Sequence, residues 1–323
     1  FCKAIYMLMN TIFTVCNRHT YANARVLAES VQKFHPEMIF YIGWVDTLTL
    51  PDLPPFCRVL HVEDLQIPAW DDMCEKYYDF ELVNACRPWF AKFLIASIQD
   101  QETITFLAPT TVLFSALDKC YEPDVDLFLT PNIIAPIQEN TNIDDKRILN
   151  VGMFNANAWA MRKNAAICTM IDWWAHRTLD RAKFDLCNGM CMDQLWLNFM
   201  PVWIEKHTQW NTPTWCYGLR SIPNHELKLK NGVLEIENEK LISIDFAGLT
   251  AYDPIWSDHV GLAKTQSAYE SELQTYVANL NTYKIENGNK LPFGIVTKPV
   301  ATRLQRRKMV ATLKQWVHFI DQY

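Results

Sequence analysis

Cysteine, glycine and three charged positions decide what chemistry this sequence can support. The ten cysteines contain no CxxC pair. Cys187 and Cys191 are separated by three residues, His207 is the next soft ligand, and no second pair follows at finger or ribbon spacing. A zinc centre is therefore not expected, and the thiols read as reduced and mostly buried. Nine glycines are present, no two closer than six positions. That spacing excludes the GxGxxG, P-loop and GxSxG motifs, so no glycine-rich loop would cradle a nucleotide. Asp46 closes an apolar run. A carboxylate at the carboxyl end of a strand can accept hydrogen bonds from a base or ribose, or be an ordinary loop acid. Arg87 precedes Pro88, which places it near a helix start or kink. Its guanidinium can grip a diphosphate at two points or pair with Asp79 or Glu81. Asp193 stands before "QLWLNF", as a helix N-cap or as a general base.

These groups need elements to hold them. "TIFTVC" (Thr11–Cys16) reads as a buried strand and "MIFYIGWVD" (Met38–Asp46) as a second. The helix between them carries Tyr21, Ala24, Leu27, Ala28 and Val31 on one face. Such a unit implies a parallel strand pair with a right-handed crossover. "HVEDL" reads as a third strand. Helices are expected at about 70–78 and 80–99, strands at 103–107 and 124–130, and a polar loop over 138–147. Two short strands are expected around Gly152, a helix over 164–181, and helical structure over 192–199. Short strands follow Pro201, and two helices close the chain, at about 266–283 and 302–323. No linker separates two bodies. The expected organisation is an α/β domain over 1–255 with a helical C-terminal extension, 256–323, packed on it.

Composition sets the outer limits. Hydrophobic residues make up 50% of 323, enough for a substantial core. A net charge of −6 makes a poor electrostatic nucleic-acid binder. The longest uncharged run, Thr103–Leu117, is too short to span a bilayer. No basic region precedes an apolar stretch, so no signal peptide is expected and the reading is cytoplasmic. Residues 1–8, upstream of Met9, read as an extension. The twelve tryptophans read mainly as core rather than sugar platforms; of the neighbours Trp173 and Trp174, one is expected inside. The basic cluster Arg303–Lys308 reads as a solvated helix face, with contact to anionic lipid, peripheral at the membrane, or to a partner as its alternative.

Five segments in order resemble bacterial glycosyltransferases with the GT-A fold. They are "TIFTVCNRHTYANARVLAESVQKFHP" with "FYIGWVD"; "YDFELVNACRPWFAKFLI", similar to an E-L-x-T-A-x-K-P helix; "ITFLAPTTVLFSALD"; "LNVGMFNANAW…WWAHR…CNGMCMDQLWLNFMP", similar to an N-x-G strand, a WW helix and a D-Q-x-W helix; and "ISIDFAGLTAYDP", similar to an H-F-S-G strand end. They span about Thr11–Pro254.

The resemblance implies a Rossmann-like, mixed and mainly parallel sheet between helices. It also implies transfer of a sugar from a nucleotide-diphosphate donor to an acceptor hydroxyl on a glycan, lipid or protein. By position, it places Asn17 and Tyr21 at the nucleoside, although Asn17 is also a plausible helix cap. It places Asp46 at the base or ribose and Arg87, where the family has Lys, at the diphosphate. Asp193 and Gln194 would face the donor sugar and acceptor, with Asp193 the catalytic candidate. Asn150 and Gly152 would admit the sugar close to the backbone, although a turn explains Gly152 equally. The family's Asp-x-Asp metal motif reads Ala108-Pro109-Thr110 here, and its H-F-S-G histidine is Asp245, followed by Gly248. Mn²⁺ or Mg²⁺ needs hard oxygen ligands, which alanine lacks and threonine supplies weakly. A divalent cofactor is thus disfavoured. Two functions stay open: a metal-independent glycosyltransferase, and a non-catalytic relative that binds a glycan, a nucleotide sugar or a partner enzyme.

Overall fold

The computed structural model describes residues 10–51, 53–136, 145–285, 290–296 and 300–321. Strand β1 (Asn10–Cys16) explains the apolar run that opens it. Ile12 and Cys16 enter one core, while Phe13 and Val15 enter another on the opposite face. A strand covered on both faces has no polar side to alternate with.

The remaining strands are β2 (Phe40–Trp44), β3 (Cys57–His61), β4 (Thr103–Leu107), β5 (Thr111–Leu113), β6 (Leu127–Pro131), β7 (Phe154–Arg162), β8 (Phe184–Asp185), β9 (Met190–Cys191), β10 (His207–Gln209), β11 (Lys228–Lys230), β12 (Val233–Ile236), β13 (Glu239–Lys240) and β14 (Ser243–Asp245). The α-helices are α1 (Tyr21–Phe34), α2 (Trp70–Lys76), α3 (Asp79–Ser97), α4 (Asp145–Val151), α5 (Ala165–Thr178), α6 (Met200–Trp203), α7 (Ser267–Thr282) and α8 (Val300–Asp321). Seven strands form one sheet in the order β10-β6-β7-β4-β1-β2-β3. β7 runs antiparallel to both neighbours, and the other pairings are parallel. This is the mixed, mainly parallel, helix-flanked sheet that the resemblance implies.

Helices α3 and α5 cover the face that holds Phe13, Phe106 and Trp159, and α1 covers the face of Ile42 and Phe128. A third core joins Tyr217, Ile244 and Phe246 to Trp256, Tyr269 and Tyr276, so residues 256–276 are built into the body. β14 pairs with β5 beside the main sheet. No helix among the described residues is long and apolar enough to cross a membrane.

Three local expectations are corrected. His61 ends β3, and Val62–Leu65 form a 3-10 turn rather than a strand. Residues 145–151 are helical, not part of a loop or a strand. There Ile148 and Val151, three apart, join the third core while Leu149 is exposed, a helical rather than an alternating pattern. The rest of the expected loop, 138–144, lies outside the described residues, as do residues 1–9. Finally, Arg87 is not at a helix start: it lies in mid-helix, and α3 continues through Pro88. An interior proline costs about 3 kcal/mol. Fully burying Leu82, Phe90 and Leu94 returns about 1.5–3 kcal/mol each, which outweighs it.

Candidate functional site

The sheet order reverses at β1: the chain runs outward to β2 and β3, then returns to β4 on the other side. Ligands of open α/β sheets bind beyond the carboxyl ends of the strands at such a reversal. A cavity of about 380 Å³ opens there, lined by Val15 near the end of β1, Asn17 just after it, and Ala108–Thr110 after β4. Helix α3 supplies Phe80, Val83, Asn84 and Arg87, one face at helical spacing. β7 supplies Asn155 and Asn157. Its register against β6 breaks there: Leu129 opposes Trp159, but Thr130 opposes Asn155. The residues between are left out of that ladder, as in a bulge that re-aims side chains.

Asp193 also lines the cavity and is wholly buried. Arg87 Nη1 approaches its Oδ1 at 3.4 Å, and Trp174 Nε1 donates to its backbone carbonyl at 3.0 Å. Burial pushes the Asp193 carboxyl up to about 6, with Arg87 pulling the other way. The Arg87 guanidinium also lies 5.0 Å over the Phe106 ring. Four cavity-lining residues hold a buried polar atom with no hydrogen-bond partner: Asp193 Oδ2, Arg87 Nε, Asn84 Oδ1 and Asn155 Nδ2. Two are acceptors and two are donors. Buried polar atoms are ordinarily paired; these four belong to residues that line one cavity, and other described residues away from it hold such atoms as well.

Asp245 sits one layer out. Thr110 Oγ1 donates to its Oδ1 at 2.7 Å and Asn157 Nδ2 to its Oδ2 at 3.0 Å. The Ala247 N–H donates to Oδ1 at 3.0 Å, and Arg220 Nη1 is 3.5 Å from Oδ2. The carboxylate thus positions two cavity-lining side chains and does not line the cavity itself. These residues do not fit a divalent cation. Ala108 has no donor atom, the Thr110 hydroxyl donates to Asp245, and Asp245 already faces Arg220. Among the described residues no group of three His, Cys, Asp or Glu side chains could hold a metal.

The other expected residues divide. Asn17 lines the cavity, but its Oδ1 accepts from the His19 N–H at 3.0 Å; the α1 N-cap is Thr20. Gln194 lines it too, with its amide spent on Ala156 N–H (3.0 Å) and Val151 C=O (2.8 Å). Asp193 is not a helix N-cap; the 3-10 turn after it is preceded by Gln194. Tyr21 is core, edge-on to Trp44 at 5.9 Å. Asp46 accepts from Arg18 Nε at 2.8 Å and from the backbone N–H groups of Arg18 and Leu48, both at 3.0 Å. Burial opposes ionisation there, but these bonds hold the carboxyl below the usual carboxylate range. It lies outside the cavity lining. So does Asn150, partly buried on α4. Gly152 makes a tight turn at φ +96, where a Cβ would fall 2.9 Å from Asn198 Nδ2. Gly248, at φ +81, lets the chain fold back against Trp256.

Sequence reading missed His19, Asp79, Asn84, Asn155 and Asn157. His19 Nε2 lies 3.4 Å from Asp79 Oδ2, and both line the cavity. "FNANAW" held a usable signal, polar residues two apart in an apolar strand. Asn84, three before Arg87 on a helix, held another. Of the tryptophans, Trp174 is core, and Trp173 packs with Trp203 and Phe199. The nine described cysteines are free; five are buried and Cys187 is exposed.

No protein-family model matches this chain, and no curated protein does. Among solved structures it is similar to the galactosyltransferase LgtC in complex with donor and acceptor sugar analogues, with TM-score 0.46 and 12% identity. It is also similar to an active-site mutant of LgtC, with TM-score 0.42 and 13% identity. Each likeness covers 83% of this chain and 100% of the other. At those values the likeness is distant.

Proposed function

We propose that this chain is a glycosyltransferase that moves a sugar from a nucleotide-diphosphate donor to an acceptor hydroxyl without a divalent metal. The observation that carries the reading is a cavity beyond the strand ends whose lining residues Asp193, Arg87, Asn84 and Asn155 each hold a buried polar atom without a hydrogen-bond partner, two acceptors and two donors. A sugar hydroxyl both donates and accepts, so a pyranose suits a lining that mixes donors and acceptors. A phosphate only accepts and would leave Asp193 Oδ2 and Asn84 Oδ1 unmet. The cavity is of small-ligand size.

In this reading the bond between the sugar's anomeric carbon and the phosphate oxygen breaks, and a bond to the acceptor oxygen forms. Asp193 Oδ2 takes the acceptor's proton as general base. Arg87, fixed above Phe106, offsets charge that develops on the departing diphosphate. The test is a titration of UDP, GDP, dTDP and CMP with their sugars, each with Mn²⁺ and with EDTA. Binding that ignores EDTA is expected; absence of binding in every condition sinks the reading. Turnover across an acceptor panel follows, and Asp193→Asn is expected to lower it about 10²–10⁴-fold while donor binding persists.

The second reading is a non-catalytic binder of a sugar or nucleotide sugar. Alanine and threonine at the Asp-x-Asp positions favour it. Donor binding with no turnover in either the unmodified chain or Asp193→Asn would select it.

A further inference from the structure

Helix α8 (Val300–Asp321) presents an apolar face to solvent. Met309, Leu313, Trp316, Val317 and Ile320 are 66, 60, 67, 55 and 66% exposed. Their spacing of four, three, one and three residues is that of one side of an α-helix. The same 22 residues contain Arg303, Arg306, Arg307, Lys308 and Lys314 against a single acid, Asp321. The chain's net charge of −6 thus divides into +4 on this helix and −10 elsewhere. The helix does not qualify as a membrane span.

We propose that α8 lies in the interface of an anionic lipid bilayer and holds the acidic body of the protein against it. An amphipathic helix with basic residues, an apolar face and a tryptophan is the kind that beds in the headgroup boundary without spanning. The charge division selects the partner. Two copies of a helix with five cations and one anion repel each other, so a symmetric pairing of α8 with α8 is disfavoured. A nucleic acid would use the cations but leave the apolar face bare. The acidic remainder is repelled by an anionic surface, so contact falls to α8 alone. This inference is independent of the sugar-transfer reading.

The test is flotation of the whole chain with vesicles of phosphatidylcholine alone or with one third phosphatidylglycerol, at low and high salt. Partition into the anionic vesicles is expected to be at least tenfold stronger, and to fall several-fold at high salt. The double variant Leu313→Glu, Trp316→Glu alters two exposed side chains. It is expected to lose at least tenfold of that partition with the thermal melt of the body unchanged. Lys308→Glu alone is expected to lose several-fold. Equal partition into both vesicle types, or none into either, overturns the proposal. So does concentration-dependent dimerisation that the double variant abolishes, since the face would then join two chains.

Discussion

At the residue scale, Asp193, which lines the cavity, has one carboxylate oxygen beside Arg87 and a second that is buried without a hydrogen-bond partner. Its carboxyl is pushed up to about 6 by burial, so it is ionised at neutral pH yet basic enough to take a proton. For a working transferase, kcat/KM should be level above roughly pH 6 and fall about tenfold per unit below it. Asp193→Asn should remove that limb, and a limb that survives would place the base elsewhere. Asp245 makes a different prediction because it orders the site without facing it. Asp245→Ala leaves the buried Arg220 uncompensated and releases Thr110 and Asn157. Loss of one partner of such a pair costs about 3–5 kcal/mol, readable in a urea melt. An unchanged melt would mean that Arg220 finds another partner.

At the scale of elements, α3 holds Arg87 at the right depth only because it continues through Pro88. Pro88→Ala should raise stability by about 1–3 kcal/mol, by restoring a donor to the helix. A lower unfolding midpoint would show that the ring itself is packed. The end of α1 makes a pH prediction. His35 is buried, and its Nε2 accepts the Leu117 N–H at 3.0 Å, which requires the neutral ring. Burial lowers its pKa, against the pull of Asp118 and Glu37. The unfolded chain then takes up a proton near pH 6.5 that the folded chain refuses. Stability from this residue is present above that pH and is lost as pH falls through it. The urea midpoint should therefore drop more between pH 7.5 and 5.5 in the unmodified chain than in His35→Gln; equal drops would refute the assignment.

At the scale of the whole molecule, α7 closes the third core over the β5–β14 pair. Tyr276 stacks on Phe246 at 4.2 Å, and its hydroxyl accepts from Asn23 Nδ2 at 2.7 Å. Tyr269 is as deeply buried, but its hydroxyl has no hydrogen-bond partner. Tyr276→Phe should cost about 1 kcal/mol, whereas Tyr269→Phe should be neutral or stabilising in the same thermal melt. Equal effects would mean that burial rather than pairing governs both.

The sequence alone determined the alternation of strands and helices and the exclusion of glycine-loop motifs, while the candidacy of Arg87 and Asp193 rested on the family resemblance. The first two depend on local pattern: a doubly buried strand must be an apolar run, a helix must repeat near 3.6, and a motif needs its spacing. Tertiary structure decided the pairings. Asp46 reads as a ligand-binding acid until Arg18, across the β1–β2 crossover, takes its oxygens. Asp245 reads as a site residue until Thr110 and Asn157, far off in sequence, claim it. Asn155 and Asn157 enter the cavity because the β6–β7 register breaks beside them. Which polar atoms are spent and which are left for a ligand depends on contacts between segments some hundred residues apart, and those are set by how the chain packs around β1 rather than by neighbours along it.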